Sequence, residues 1–130
     1  MKTAMAINKI LVIEDEEDIR SLIQTCLELV NGWQVSAACC GTEGLTKAEV
    51  EQPDAVLLDI MMPEMDGFAI LKNLRSNPLT KHITVILLTA KGRSIEPSQL
   101  AQLDVRGVIS KPFKPLELAN QVKALLDKHG

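Results

Sequence analysis

The sequence predicts a single three-layer α/β domain, a doubly wound parallel sheet of five strands with helices on both faces. Three observations point to it. Short runs rich in Val, Ile and Leu lie between helix-like segments, which is the pattern of parallel strands buried on both faces. Strand and helix alternate from end to end, with no internal repeat, low-complexity tract or linker. A chain of 130 residues supplies one such domain and leaves no room for a second that folds alone.

The first strand is Lys-Ile-Leu-Val-Ile at residues 9–13. After it, Ile19, Leu22, Ile23, Cys26, Leu27 and Val30 recur at helical spacing, so residues 16–30 read as a helix, stopped by Asn31-Gly32. Residues 33–38 alternate weakly and read as the second strand. Residues 42–51 read as a helix with Leu45, Ala48 and Val50 as its apolar positions, ended by Pro53 just beyond. The third strand, Ala-Val-Leu-Leu-Asp, closes on Asp59, and the loop 60–67 leads into a helix over 68–75 that presents Ile70, Leu71 and Leu74. The fourth strand, residues 84–89, closes on Thr89. A short helix near 98–103 follows, where the periodicity is weakest. The fifth strand covers 107–110 and runs into Lys111. The last helix, 116–126, carries Leu118, Val122, Leu125 and Leu126 on one side, with Pro115 where a first helical turn accepts it.

Composition excludes several classes of function. Hydrophobic residues make up 46% and charged ones 24%, which is ordinary for a packed globular domain, and aromatics at 2% require an aliphatic core. A net charge of -3 gives no basic footprint for direct contact with nucleic acid. No apolar run approaches a membrane span, and the first seven residues lack the apolar stretch of a secretory signal, so a cytoplasmic protein is expected. Cys26, Cys39 and Cys40 are odd in number, form no C-x-x-C pair, and read as small hydrophobes in a reduced compartment.

In an open α/β sheet, ligands bind outside the carboxyl ends of the strands. That edge receives Glu14 and Asp15 from the first strand, Asp59 from the third, Thr89 from the fourth and Lys111 from the fifth. An acid pair after a strand would by itself suit a helix first turn; a further carboxylate at a neighbouring strand end shifts the weight to a site. Clustered carboxylates repel one another unless a cation is present. An oxygen-only donor set suits Mg²⁺ better than zinc, because His82 and His129 are expected far from this edge and no cysteine is expected to reach it. Asp59 could act as a nucleophile that forms an aspartyl phosphate. Lys111 could hold a phosphoryl oxygen as a point charge, and Thr89 could donate to another.

These residues carry a resemblance to the response-regulator receiver domains of two-component signalling, over residues 8–128. The matching motifs are Glu14-Asp15, the stretch from Leu58 through Asp59-Ile-Met-Met-Pro-Glu-Met-Asp to Gly67, Thr89-Ala90 and Lys111-Pro112-Phe113, at matching intervals. The resemblance implies a flavodoxin-like fold with strand order 2-1-3-4-5 and a cis bond at Lys111-Pro112. It also implies that Asp59 accepts phosphate from a histidine kinase. Glu14, Asp15 and Asp59 would hold Mg²⁺ together with the backbone carbonyl of Met61, and Thr89 and Lys111 would contact the phosphoryl group. Implied partners are a sensor histidine kinase or phosphotransfer protein and a downstream target protein. Residues 1–130 form a single receiver with no output domain on this reading, so it acts by being bound or by passing phosphate on. It is a signalling protein rather than an enzyme, catalysing only its own phosphorylation and dephosphorylation.

One position departs from the family. Many receivers carry Tyr or Phe three residues before the lysine, where this chain has Val108, and it contains no tyrosine. The signalling face is expected across the short helix near 98–103, the fifth strand and the last helix, read with Val108 rather than an aromatic, with Lys91, Arg93, Ile95 and Arg106 giving it a mixed basic and apolar character. Three rival readings fit the residues less well. A flavodoxin-type electron carrier needs a hydroxyl- and glycine-rich phosphate loop after the first strand, where this chain offers Glu14-Asp15-Glu16-Glu17, which repels anions. A phosphohydrolase acting on exogenous esters needs a substrate pocket or cap that 130 residues leave little room for. The alternative within the family is a degenerate receiver that binds proteins without phosphate, but every residue of the phosphate site is present.

Overall fold

The computed structural model describes residues 9–60, 66–89, 102 and 104–127. Along the chain run β1 (Lys9–Ile13), α1 (Glu17–Asn31), β2 (Gln34–Ala38), α2 (Gly41–Glu51), β3 (Ala55–Asp59), α3 (Gly67–Ser76), β4 (Thr84–Thr89), β5 (Gly107–Ser110) and α4 (Pro115–Asp127). The five strands pair in parallel in the order β2-β1-β3-β4-β5, the flavodoxin-like doubly wound arrangement. The short helix expected near 98–103 lies almost wholly outside the described residues, as do Lys91, Arg93, Ile95 and Met61.

The unbroken apolar runs follow from burial on two faces. Ile10 and Val12 of β1, Ala55 and Leu57 of β3, and Ile86 and Leu88 of β4 pack with α1 and α4 through Ile23, Leu27, Leu118 and Val122. The alternate residues, Leu11 and Ile13, Val56 and Leu58, Val85 and Leu87, pack with α2 and α3 through Ala48, Ile70, Leu71 and Leu74. A pleat sends successive side chains to opposite faces, so the middle of a strand covered on both sides favours apolar residues throughout, and the buried polar residues Asp59 and Thr89 fall at strand ends. Each fully buried aliphatic side chain contributes about 1.5–3 kcal/mol of transfer free energy.

Helix faces differ in detail from the periodicity. In α1 the buried seam is Ile23, Cys26 and Leu27, while Leu22 and Val30 stand half exposed. In α2, Val50 is 76% exposed and the buried face is Gly41, Gly44 and Ala48. The reason is close approach: a Cβ on Gly44 would sit 2.4 Å from Ile13 Cδ1. Small residues let α2 lie directly on the sheet, and glycine carries no hydrophobic signal for a pattern to detect. Helix ends match the sequence better. Gly32 at φ 70 caps α1 with its N–H on the Glu28 carbonyl, and the Asp66 side chain accepts from the Phe68 N–H to start α3. Trp33 lies just before β2 and packs on the α1 side of the core. Among the described residues, no helix is long and apolar enough to cross a membrane.

Candidate functional site

The parallel register delivers the polar residues to one edge. Asp59 pairs with Leu88, and Thr89 pairs with Ser110. Ladder-like bonds continue past the strand ends: Glu14 N–H to the Ala38 carbonyl at 3.1 Å, Ile60 N–H to Leu88 at 3.1 Å, and Lys111 N–H to Thr89 at 2.7 Å. Backbone hydrogen bonds therefore fix Glu14, Lys111 and the residue after Asp59, rather than leaving them to loop freedom. Glu14, Asp59 and Thr89 are all buried, at 0%, 1% and 2% exposure, and Asp15 is partly exposed. Gly67, the first residue of α3, lies against the exit of β3. A Cβ there would stand 2.3 Å from Ile60 Cα and 2.9 Å from the Asp59 carbonyl oxygen, so the position admits only glycine without backbone movement.

Four of the expected site residues come together. Lys111 Nζ donates to Glu14 Oε1 at 2.6 Å and to Asp59 Oδ2 at 3.2 Å. The other Glu14 oxygen, Oε2, accepts from the Glu16 N–H at 3.1 Å. One oxygen from each of Glu14, Asp15 and Asp59 lies within 4.8 Å of the others, a spacing that one small cation can bridge. Thr89 ends the strand beside Asp59 and is buried there. The fourth expected ligand, the Met61 carbonyl, lies outside the described residues. The Lys111-Pro112 bond is cis, as expected, and Val108 packs partly buried against the α2–α3 side of the core.

Three carboxylates cluster around one ammonium here. Burial pushes the Glu14 carboxyl up to about 7, with the Asp59 charge adding, against the opposing hydrogen bonds from Lys111 and the Glu16 amide. Burial also disfavours the Lys111 charge, but Glu14 and Asp59 outweigh it and hold that ammonium above the usual lysine range. An unfolded Glu14 would titrate near 4.5, so the folded metal-free state holds this proton more tightly. The resulting stability is fully present below 4.5 and is lost as the pH rises through about 7. In chelator, the Tm of wild type relative to Glu14→Gln should fall between those two pH values and then level off. A difference constant over the whole range would contradict burial as the cause.

Two neighbours of the site escaped the sequence reading. Gly67 was read as part of a loop motif rather than as a packing requirement. Arg20 Nη1 donates to the carbonyls of Glu14 at 3.0 Å and Asp15 at 3.4 Å. The available signal was an arginine in the opening turns of the helix that follows an acid pair.

The family model of the response regulator receiver domain matches residues 10–123. The chain belongs to that family. Among its relatives are the alkaline phosphatase synthesis transcriptional regulatory protein PhoP of Bacillus subtilis, 41% identical over 91% of this chain and 48% of the relative, and the regulatory protein VanRc of Enterococcus gallinarum, 35% identical over 93% and 51%. The receiver thus spans about half the length of the curated relatives it matches. Among solved structures, the chemotaxis protein CheY4 of Vibrio cholerae superposes with a TM-score of 0.81 at 29% identity, covering 92% of this chain and 99% of that one. A response regulator from Chloroflexus aurantiacus superposes with a TM-score of 0.82 at 29% identity, covering 94% and 99%. In the receiver described here, the acidic cluster and Lys111 occupy the carboxyl edge of the sheet, where such folds bind ligands.

Proposed function

We propose that this receiver accepts phosphate on Asp59 from the phosphohistidine of a sensor histidine kinase or phosphotransfer protein, in a Mg²⁺-dependent step. The observation that carries the reading is the convergence of Glu14, Asp15 and Asp59 with Lys111 bridging two of them. The donor set fits the ion: among the described residues it consists of three carboxylates, to which the Met61 carbonyl and water would add further oxygens. Bound there, Mg²⁺ would neutralise phosphoryl oxygens during transfer.

The residues of the chain divide the remaining work. A carboxylate oxygen of Asp59 attacks phosphorus, forming the acyl phosphate bond as the donor's N–P bond breaks and its electron pair returns to imidazole. Lys111, already 3.2 Å from Asp59, can turn to a phosphoryl oxygen and balance its charge. The hydroxyl of Thr89 donates to another oxygen. Glu14 and Asp15 serve as metal ligands and leave nucleophilic attack to Asp59. Burial of Asp59 limits water at the acyl phosphate and orients its attacking oxygen. Switching then acts on a downstream protein in the cytoplasm, with no direct contact of this domain with nucleic acid or membrane. The receiver turns over no separate substrate beyond its own phosphorylation and dephosphorylation.

Acetyl phosphate gives a direct test of the metal. With Mg²⁺ the protein should gain a single acid-labile phosphate, and with chelator none. Because the ion binds the folded state, it should also raise the Tm, by the equivalent of about 2.7 kcal/mol at a hundredfold excess over Kd. Equal phosphate uptake and equal Tm with and without chelator would contradict the proposal.

A further inference from the structure

We infer that Arg20 is the positioning residue of the acidic pocket, its guanidinium setting the backbone from which Glu14 and Asp15 present their carboxylates. This rests on the reading of that pocket as a Mg²⁺ site. Glu14 and Asp15 lie on the short link between β1 and α1, where the sheet holds the Glu14 N–H through the Ala38 carbonyl and Arg20 takes the carbonyls of Glu14 and Asp15. Arg20 sits in the opening turns of α1, its own N–H bonded to the Glu16 carbonyl at 2.8 Å. Helical side chains tilt toward the helix N-terminus, so a long one at this position sweeps back over the link. There a single nitrogen, Nη1, reaches both carbonyls, at 3.0 and 3.4 Å.

The choice of partner is what makes the contact informative. A guanidinium beside a cluster of acids would be expected to pair with a carboxylate, yet among the described residues Arg20 makes no ion pair. Among the described residues, Lys111 forms the ion pairs to the carboxylates of Glu14 and Asp59. The two cations thus divide the pocket: one touches the metal-holding oxygens, and the other holds the backbone behind them. Outer contacts of this kind orient ligands and typically alter metal affinity ten- to hundredfold when removed.

Charge and positioning predict opposite signs, which makes the role testable. Removing a positive charge near an acidic pocket should tighten Mg²⁺ binding by Coulomb attraction alone. Removing a positioning residue should weaken it. Mg²⁺ affinity is to be measured by calorimetry on wild type, Arg20→Met, Arg20→Lys and the ligand variant Asp15→Asn, with Tm recorded in chelator to count folded protein. The expected result is about a tenfold or greater weakening in Arg20→Met, per folded molecule. Arg20→Lys should recover only part of it, because an ammonium lacks the planar fork of donors. Equal or tighter binding in Arg20→Met, or a loss that merely tracks unfolding, overturns the positioning role while the Mg²⁺ reading stands. A wild type that binds no Mg²⁺, or an Asp15→Asn that binds it unchanged, overturns the Mg²⁺ reading and the role of Arg20 with it.

Discussion

Asp59→Asn is expected to abolish phosphate uptake from acetyl phosphate while leaving the fold intact. The amide has nearly the shape of the carboxylate, so β3 and its neighbours keep their packing, but it offers no anionic oxygen to attack phosphorus. Loss of the charge also lowers repulsion with Glu14, whose carboxyl is pushed up in part by Asp59. The far-ultraviolet circular dichroism should match wild type, and phosphate incorporation in Mg²⁺ should fall to background. Uptake that survives the substitution would assign acceptance elsewhere.

Gly67→Ala should produce a larger stability loss than a methyl addition at Gly32, Gly44 or Gly107. The new Cβ would fall 2.3 Å from Ile60 Cα and 2.9 Å from the Asp59 carbonyl oxygen, and both are backbone atoms that cannot rotate away. At Gly44 and Gly107 the nearest atoms are the ends of Ile13 and Leu125 side chains, which can shift. At Gly32 nothing lies within 4 Å, and only its φ of 70 opposes a side chain. Overpacking of this kind costs about 1–3 kcal/mol or more, equivalent to a Tm drop of roughly 5–15 °C in a domain of this size. Moving α3 away to relieve the clash would displace the peptide that follows Asp59, so phosphate uptake should slow as well. A Tm loss no greater than that of Gly32→Ala would contradict the close approach.

How much of this was legible in the sequence depends on what each element buries. Strands β1, β3 and β4 were readable to the residue or nearly so, because burial on two faces turns the strand itself into an unbroken aliphatic run. The edge strand β2 gives only a weak alternation, and its start was placed at Trp33 although that residue packs outside the ladder. The face of α2 was misread: Val50 carries the hydrophobic signal but points to solvent, while Gly44, which carries none, meets Ile13. The strand order did not follow from periodicity at all; it came from the spacing of motifs that resemble a known family. For the site, chemistry was readable because Glu14, Asp15, Asp59, Thr89 and Lys111 are unusual residue types at the ends of apolar runs. Arg20 and Gly67 were not, since one acts on backbone carbonyls and the other by having no side chain.

Substitution of Asp59 tests its role as acceptor only indirectly, because the same carboxylate is also an expected Mg²⁺ ligand. Direct localisation avoids that ambiguity. After incubation with acetyl phosphate and Mg²⁺, borohydride reduction of the acyl phosphate converts the modified aspartate to homoserine, which mass spectrometry of the peptides then locates. Homoserine is expected at position 59 alone; homoserine at Asp15 or Asp54, or a reduced acid at Glu14, would contradict acceptance by Asp59.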